Sequence, residues 1–227
     1  DQRGDFEDWI AEGLGPTPTP VQTIDPVRGD PLPAYDALAG VVVTGSHAMV
    51  TDRHPWSEQT GQWLLGLLSR DIPLLGICYG HQLLAHVLGC PVDDNPRGLE
   101  VGTVPLYLTA EAHEDPLFAG LPNPFLAHVS HRQSVLELPA GAVPLVWSEQ
   151  EPHHAFRVGR CAWGVQFHPE FDLPIQLAYI RCNTEELRAA GYDPDHLAQQ
   201  VKPTPEAAGL LARFGQLCLT SFDRLSR

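Results

Sequence analysis

A chain of 227 residues with 43 % hydrophobic content can bury one sizeable core, and residues 1–227 are read as a single domain. Its 14 basic against 28 acidic residues leave a net charge of −14, which repels polynucleotides and anionic membranes, so neither is expected as a partner. The five cysteines, Cys78, Cys90, Cys161, Cys182 and Cys218, are odd in number and include no Cys-x-x-Cys pair, which argues against a disulfide framework or a zinc knuckle and for a reducing cytoplasm.

The first segment, "DFEDWIAEGLG", spaces Phe6, Trp9, Ile10 and Leu14 as on one helix face before Gly15, and the run "PTPTP" then breaks the helix into a loop. The runs "VQTI" (21–24) and "GVVVTGS" (40–46) are β-branched and bounded by turn residues, as strands buried on both faces are. Trp63, Leu64, Leu67 and Leu68 recur at helical spacing between Ser57 and Leu68. A buried strand, "IPLLGIC" (72–78), then feeds the helix "YGHQLLAHVLG". Strands and helices in alternation predict a parallel sheet covered by helices. After Gly98 five strand-like pieces follow, "EVGTVPLYLT", "FLAHVS", "AVPLVWS", "HHAFRV" and "CAWGVQFH", and these are expected to add antiparallel pairs. From Pro174 to Phe222 the chain reads as a helical tail, with Thr204-Pro205-Glu206 starting its last helix. No apolar run approaches the roughly 20 residues that span a bilayer. The chain opens on Asp1 without a methionine, so a segment upstream is expected.

Gly76-Ile77-Cys78-Tyr79-Gly80 has the form Gly-x-nucleophile-x-Gly at a strand-to-helix turn. Such a turn strains the backbone at its centre and brings neighbouring atoms too close for a Cβ on either side. Cys78 is therefore expected at the carboxyl edge of the sheet, facing a helix N-terminus whose dipole favours thiolate. A base is supplied by "GVQFHPEF" (164–171). The strand-like run is read as ending on His168, so that in extended chain His168 and Glu170 share a side, and Pro169 between them restricts the backbone. Nucleophile, base and orienting carboxylate then form a triad. The other histidines, His81, His86, His113, His153 and His154, lack metal-binding spacing and read as surface or structural. No metal site or cofactor is expected, since the chain has no phosphate loop, zincin motif or Gly-x-Ser-x-Gly.

The motifs at 76–82 and 164–170, with Cys78 and His168 90 residues apart, resemble the class I glutamine amidotransferases. The likeness is greatest to stand-alone members similar to the glutaminase domain of GMP synthase. The resemblance implies a flavodoxin-like α/β fold, with a mostly parallel central sheet, added antiparallel strands and the C-terminal tail from 174 as an extension. It implies that Cys78 attacks the side-chain amide of glutamine and that His168, oriented by Glu170, protonates the departing ammonia. Water would then attack a γ-glutamyl thioester. It places an oxyanion hole at the backbone N–H groups of Tyr79 and of the Thr44-Gly45-Ser46 loop, Gly45 being the expected donor. It assigns substrate contacts to Gln82 and to Ser130, His131 and Arg132 in "VSHRQSV", where Gln133 stands in place of the family's acid. Family members begin with a strand before the first helix, so one strand is expected to be missing from this chain. No Ser-Gly-Gly-x-Asp-Ser loop is present, so the resemblance implies a separate synthetase as ammonia acceptor. A γ-glutamyl hydrolase or peptidase using the same triad, and a non-catalytic regulatory relic of the fold, are the alternative readings.

Overall fold

The structure, a computed structural model, describes residues 4–16 and 20–225. Most of the "PTPTP" break, residues 17–19, lies outside the described residues.

The first helix, α1 (Phe6–Leu14), starts on a capping box: the Asp5 carboxylate accepts from the Phe6 N–H at 2.8 Å, and Asp8 accepts from the Asp5 N–H at 3.1 Å. Gly15 ends it at φ 71°. Next come β1 (Val41–Val43), α2 (Pro55–Leu68), β2 (Leu74–Ile77) and α3 (Tyr79–Val87). The second half contributes β3 (Val92–Asp94), β4 (Glu100–Leu108), β5 (Phe125–His131), β6 (Gln133–Val135), β7 (Val143–Trp147), β8 (Ala155–Val158) and β9 (Ala162–Val165). The tail folds into α4 (Leu173–Cys182), α5 (Thr184–Ala189), α6 (Pro194–Gln200) and α7 (Pro205–Leu225).

Seven strands form one sheet in the order β1-β2-β9-β8-β7-β4-β5, and β3 and β6 form a separate antiparallel pair. The β1–β2 and β2–β9 pairings are parallel, and those from β9 outward to β5 are antiparallel. This is the α/β architecture expected, helices on a sheet with added antiparallel strands, but the sheet is mixed: its two parallel pairings lie at the β1 end and the other four are antiparallel. Its apolar runs do not alternate because both faces are covered. Leu74 on β2 joins Leu64, Leu67, Leu83 and Leu84 of α2 and α3 in one buried layer. Leu75 and Ile77 join Ile10 of α1 and Leu210, Leu211 and Phe214 of α7 in the layer on the opposite face. A smaller cluster of Val101, Ile180 and Leu187 seats α4 and α5 on β4. No helix of the described residues is long and apolar enough to cross a membrane.

Two readings of the sequence are corrected. Residues 21–24, "VQTI", form no strand: no neighbouring strand supplies hydrogen bonds, and Val21 is 49 % exposed. The run "CAWGVQFH" leaves the sheet at Val165, so His168 is not at a strand end. Its N–H instead donates to the carbonyl of His128 on β5 at 2.9 Å, and the Phe171 N–H donates back to the His168 carbonyl at 3.3 Å. Pro169 and Glu170 are thus the central residues of a β-turn, with proline at its favoured second position. The β3–β6 pair was not anticipated, because its three-residue strands carry Asp93, Asp94 and Gln133 rather than an apolar pattern.

Candidate active site

β2 and β9 are parallel neighbours with Ile77 opposite Val165. Residues just beyond the two strands therefore emerge at the same carboxyl edge of the sheet. Cys78 is the first residue after β2, and its N–H donates to the Val165 carbonyl at 2.8 Å. His168 lies three residues after β9, so two segments remote in sequence meet at the place where parallel sheets carry their sites.

The turn at Cys78 is sharp. Cys78 has φ 48° and ψ −95°, a conformation that side-chain-bearing residues rarely adopt. A Cβ on Gly76 would lie 2.4 Å from the carbonyl oxygen of Gly80, and one on Gly80 would lie 2.4 Å from that of Val43. Both glycines are thus required by close backbone packing between β2, α3 and β1. Gly80→Ala is expected to destabilise the chain by about 3 kcal/mol, a fall of roughly 6–12 °C in Tm. Gly209→Ala on the exposed face of α7, where a Cβ meets nothing within 4 Å, should leave Tm equal or slightly raised. Thermal unfolding of the two variants side by side checks this, and equal Tm values would remove the steric reason for the elbow.

Beyond the turn, Tyr79 opens α3, so its backbone N–H has no intrahelical acceptor. The Tyr79 hydroxyl bonds Ser57, and its ring stacks on Trp56 at 5.6 Å between centroids, which fixes the start of the helix. Gly45 is buried on the other side of the site: a Cβ there would lie 3.1 Å from Cε1 of His168 and 3.0 Å from Cε1 of Phe6.

His168 Nδ1 and Glu170 Oε1 lie 2.7 Å apart, with the side chains 3 % and 0 % exposed. Burial alone would pull the His168 pKa down, but the Glu170 carboxylate and Cys78 outweigh it and push the pKa up to about 10. His168 is therefore an imidazolium at neutral pH. Its ring stacks on Phe171 at 4.1 Å, and Phe6 lies 6.1 Å away. Cys78 Sγ, in a residue 8 % exposed, lies 4.0 Å from the carbonyl of Ser130.

Cys78, His168, Ser130, His131 and Arg132 line one cavity of about 170 Å³. Phe6, His47, Tyr179 and Glu186 also line it. No local motif marks these four, since α1, the loop after β1, α4 and α5 deliver them through tertiary packing alone. Gln82 does not line the cavity. Its amide nitrogen donates to the Gln133 carbonyl at 2.8 Å and to Gln166 Oε1 at 3.0 Å. The Gln133 side chain is likewise engaged elsewhere, donating to Thr51 Oγ1 at 2.7 Å and to Asp94 at 3.4 Å.

In the cavity wall, His131 on β5 faces Glu100 directly across the β4 pairing. His131 Nδ1 meets the Gln133 carbonyl at 2.9 Å and Nε2 meets Glu100 Oε2 at 2.8 Å. Both ring nitrogens thus face acceptors, so His131 carries both protons. Burial lowers its pKa, but the bond to Glu100 reverses this and the net direction is up. Burial raises the Glu100 carboxyl in turn, while the bonds from His131 and His154 hold it below the usual carboxylate range. Glu100, His131 and His154 place one ligand atom each within 4.8 Å of one another, a spacing that suits a metal ion. The doubly protonated His131 makes the group a buried ion pair that ties Ser130 and Arg132 to the sheet.

The site is thus a strained cysteine at a strand-to-helix turn beside a buried histidine–carboxylate pair, at one sheet edge of an α/β protein. A family model described as glutamine amidotransferase class-I matches residues 25–181, and the chain belongs to the class-I glutamine amidotransferase family. It is 36 % identical over 134 residues to the glutamine-hydrolysing GMP synthase of Porphyromonas gingivalis, covering 59 % of this chain and 25 % of that protein. It is 32 % identical over 173 residues to one subunit of the glutamine-hydrolysing GMP synthase of Methanopyrus kandleri, covering 75 % of this chain and 86 % of that one. The crystal structure of a glutamine amidotransferase from Thermotoga maritima superposes with a TM-score of 0.71 at 26 % identity, over 88 % of this chain and 84 % of that one. The chain thus spans only about a quarter of the length of the Porphyromonas protein but most of the Methanopyrus one.

Proposed function

We propose that the chain hydrolyses the side-chain amide of glutamine and passes the ammonia to a separate synthetase. The observation that carries this reading is the convergence of Cys78, at its strained turn, with His168 in one cavity, where Glu170 bonds His168 Nδ1 from outside the cavity lining. Cys78 sulfur attacks the amide carbon, and the oxyanion that forms is met by the backbone N–H groups of Tyr79 and Gly45. The carbon–nitrogen bond breaks as His168 gives its proton to the nitrogen, so ammonia leaves and a γ-glutamyl thioester remains. Water then attacks the thioester, and His168 takes a proton from it. Glutamate departs and the sulfur is restored. Glu170 holds Nδ1 of His168 throughout, which keeps Nε2 available for these transfers. The likeness over 86 % of a protein named as one subunit of a glutamine-hydrolysing GMP synthase supports an acceptor on another chain.

The experiment is the release of ammonia and glutamate from L-glutamine, with hydroxylamine added to trap the thioester as γ-glutamyl hydroxamate. Equal amounts of the two products, and trapping that lowers glutamate yield, are expected. Turnover of γ-glutamyl amines with none of glutamine would replace this reading by a γ-glutamyl hydrolase, and turnover of neither would overturn the triad chemistry altogether.

A further inference from the structure

We propose that Glu186 on α5 selects the α-ammonium group of the substrate while Arg132 holds its α-carboxylate. The cavity then takes a γ-carboxamide carried on a free amino-acid head group. The inference deepens the reading of Cys78 as nucleophile toward that carboxamide and rests on it.

Apart from histidines, Arg132 and Glu186 are the only charged residues among those described as lining the cavity that holds Cys78 and His168. They have opposite signs and bond each other, Arg132 from the segment between β5 and β6, Glu186 from α5. Both side chains are nearly half exposed, so the pair stands at the mouth while Cys78 lies buried within. An ion pair so exposed is weak and opens at little cost. A zwitterionic head group entering between the two replaces that one contact by two of matching sign. The uncharged backbone of a glutamine inside a polypeptide offers neither.

Three further observations point to Glu186. Gln133, next to Arg132, has no carboxylate, and its amide donates to Thr51 and Asp94. Glu186 lies beyond residue 181, where the family match ends, so a segment outside that match supplies the acid. Its position is also fixed: the adjacent Leu187 is 1 % exposed and packs with Val101 and Ile180.

The test measures binding to the full chain carrying Cys78→Ala, which holds ligand without turning it over. L-glutamine is compared by calorimetry with glutaramate, the same molecule without its α-amino group, and with 4-aminobutanamide, which lacks the α-carboxylate. Glutamine should bind at least about tenfold tighter than either analogue. Adding Glu186→Gln should abolish the preference over glutaramate and leave glutaramate affinity within about twofold. Arg132→Gln should erase the preference over 4-aminobutanamide alone. A merely structural role for Glu186 would weaken all three ligands together and overturn the proposal, as would an unchanged glutamine-to-glutaramate ratio or the absence of any preference in the parent. If wild-type chain hydrolyses glutamine while Glu186→Gln keeps the ratio, head-group selection fails and the glutaminase reading stands. If the ratio collapses as expected but the wild type releases no ammonia, the glutaminase reading fails and head-group selection stands.

Discussion

Replacing Cys78 by alanine is expected to lower the rate of glutamine hydrolysis by about 10⁴-fold or more, since the proposed thioester needs a thiol and Cys78 is the one cysteine among the described residues that line the cavity. The fold should survive, because the change removes one sulfur from a position 8 % exposed. The backbone makes the more demanding prediction. Cys78 holds φ 48° and ψ −95°, and strain of this kind costs roughly 1–3 kcal/mol in a residue with a Cβ. Glycine adopts such angles freely. Cys78→Gly should therefore be equally inactive yet more stable than the wild type, with Tm raised by several degrees, whereas Cys78→Ala keeps the strain and gains nothing. Residual turnover near the wild-type rate in either variant would remove Cys78 from the chemistry. A Cys78→Gly chain that melts below Cys78→Ala would show that the turn is not strained.

Glu170→Gln is expected to lower kcat by about 10²–10⁴-fold while KM changes little, because the carboxylate acts on His168 rather than on substrate. The pH dependence supplies a second readout. His168 is held at about 10 against an ordinary 6.5, so the alkaline limb of kcat/KM should follow the loss of its proton. Removing the carboxylate moves that limb to lower pH. Stability follows the same proton. His168 binds it more tightly in the folded chain than in the unfolded one. The contribution of the pair is therefore complete below the unfolded pKa of about 6.5 and is lost as pH rises through about 10. In Glu170→Gln the loss across this window should be smaller, starting from a lower plateau, since a buried charge has lost its partner. Thermal melts of both chains across the window, together with kcat and KM at each pH, check the claim. A raised KM with unchanged kcat would make Glu170 a substrate ligand instead.

The elbow and the His168–Glu170 pair were legible in the sequence because both are local devices. Gly76 and Gly80 bracket Cys78 within one turn of chain, and their spacing alone implies close packing and a forced backbone angle. Pro169 brings His168 and Glu170 together over three residues. The β-turn does this where an extended strand was expected, and either conformation brings the pair together. The apolar runs of β1 and β2 and the helical spacing of α2 and α3 were legible for the same reason, since residue periodicity reports which faces are covered. "VQTI" has that composition without a strand, because a strand exists only where a neighbour accepts its hydrogen bonds.

Tertiary structure alone decided the rest. Glu100 meets His131 through the register of β4 against β5, 31 residues apart in sequence. Phe6, Tyr179 and Glu186 reach the cavity from α1, α4 and α5, helices far from Cys78 in sequence. Gln82, one helical turn after Cys78, has its amide nitrogen turned to Gln133 and Gln166, away from the cavity lining. The sequence by itself determined where the backbone must bend and which side chains could carry thiol chemistry, because short-range sterics act between neighbours. Which walls enclose the thiol, and which charges guard its mouth, depended on strand register and helix docking. Those are set by the burial of the whole apolar surface at once, and no short stretch of chain encodes them.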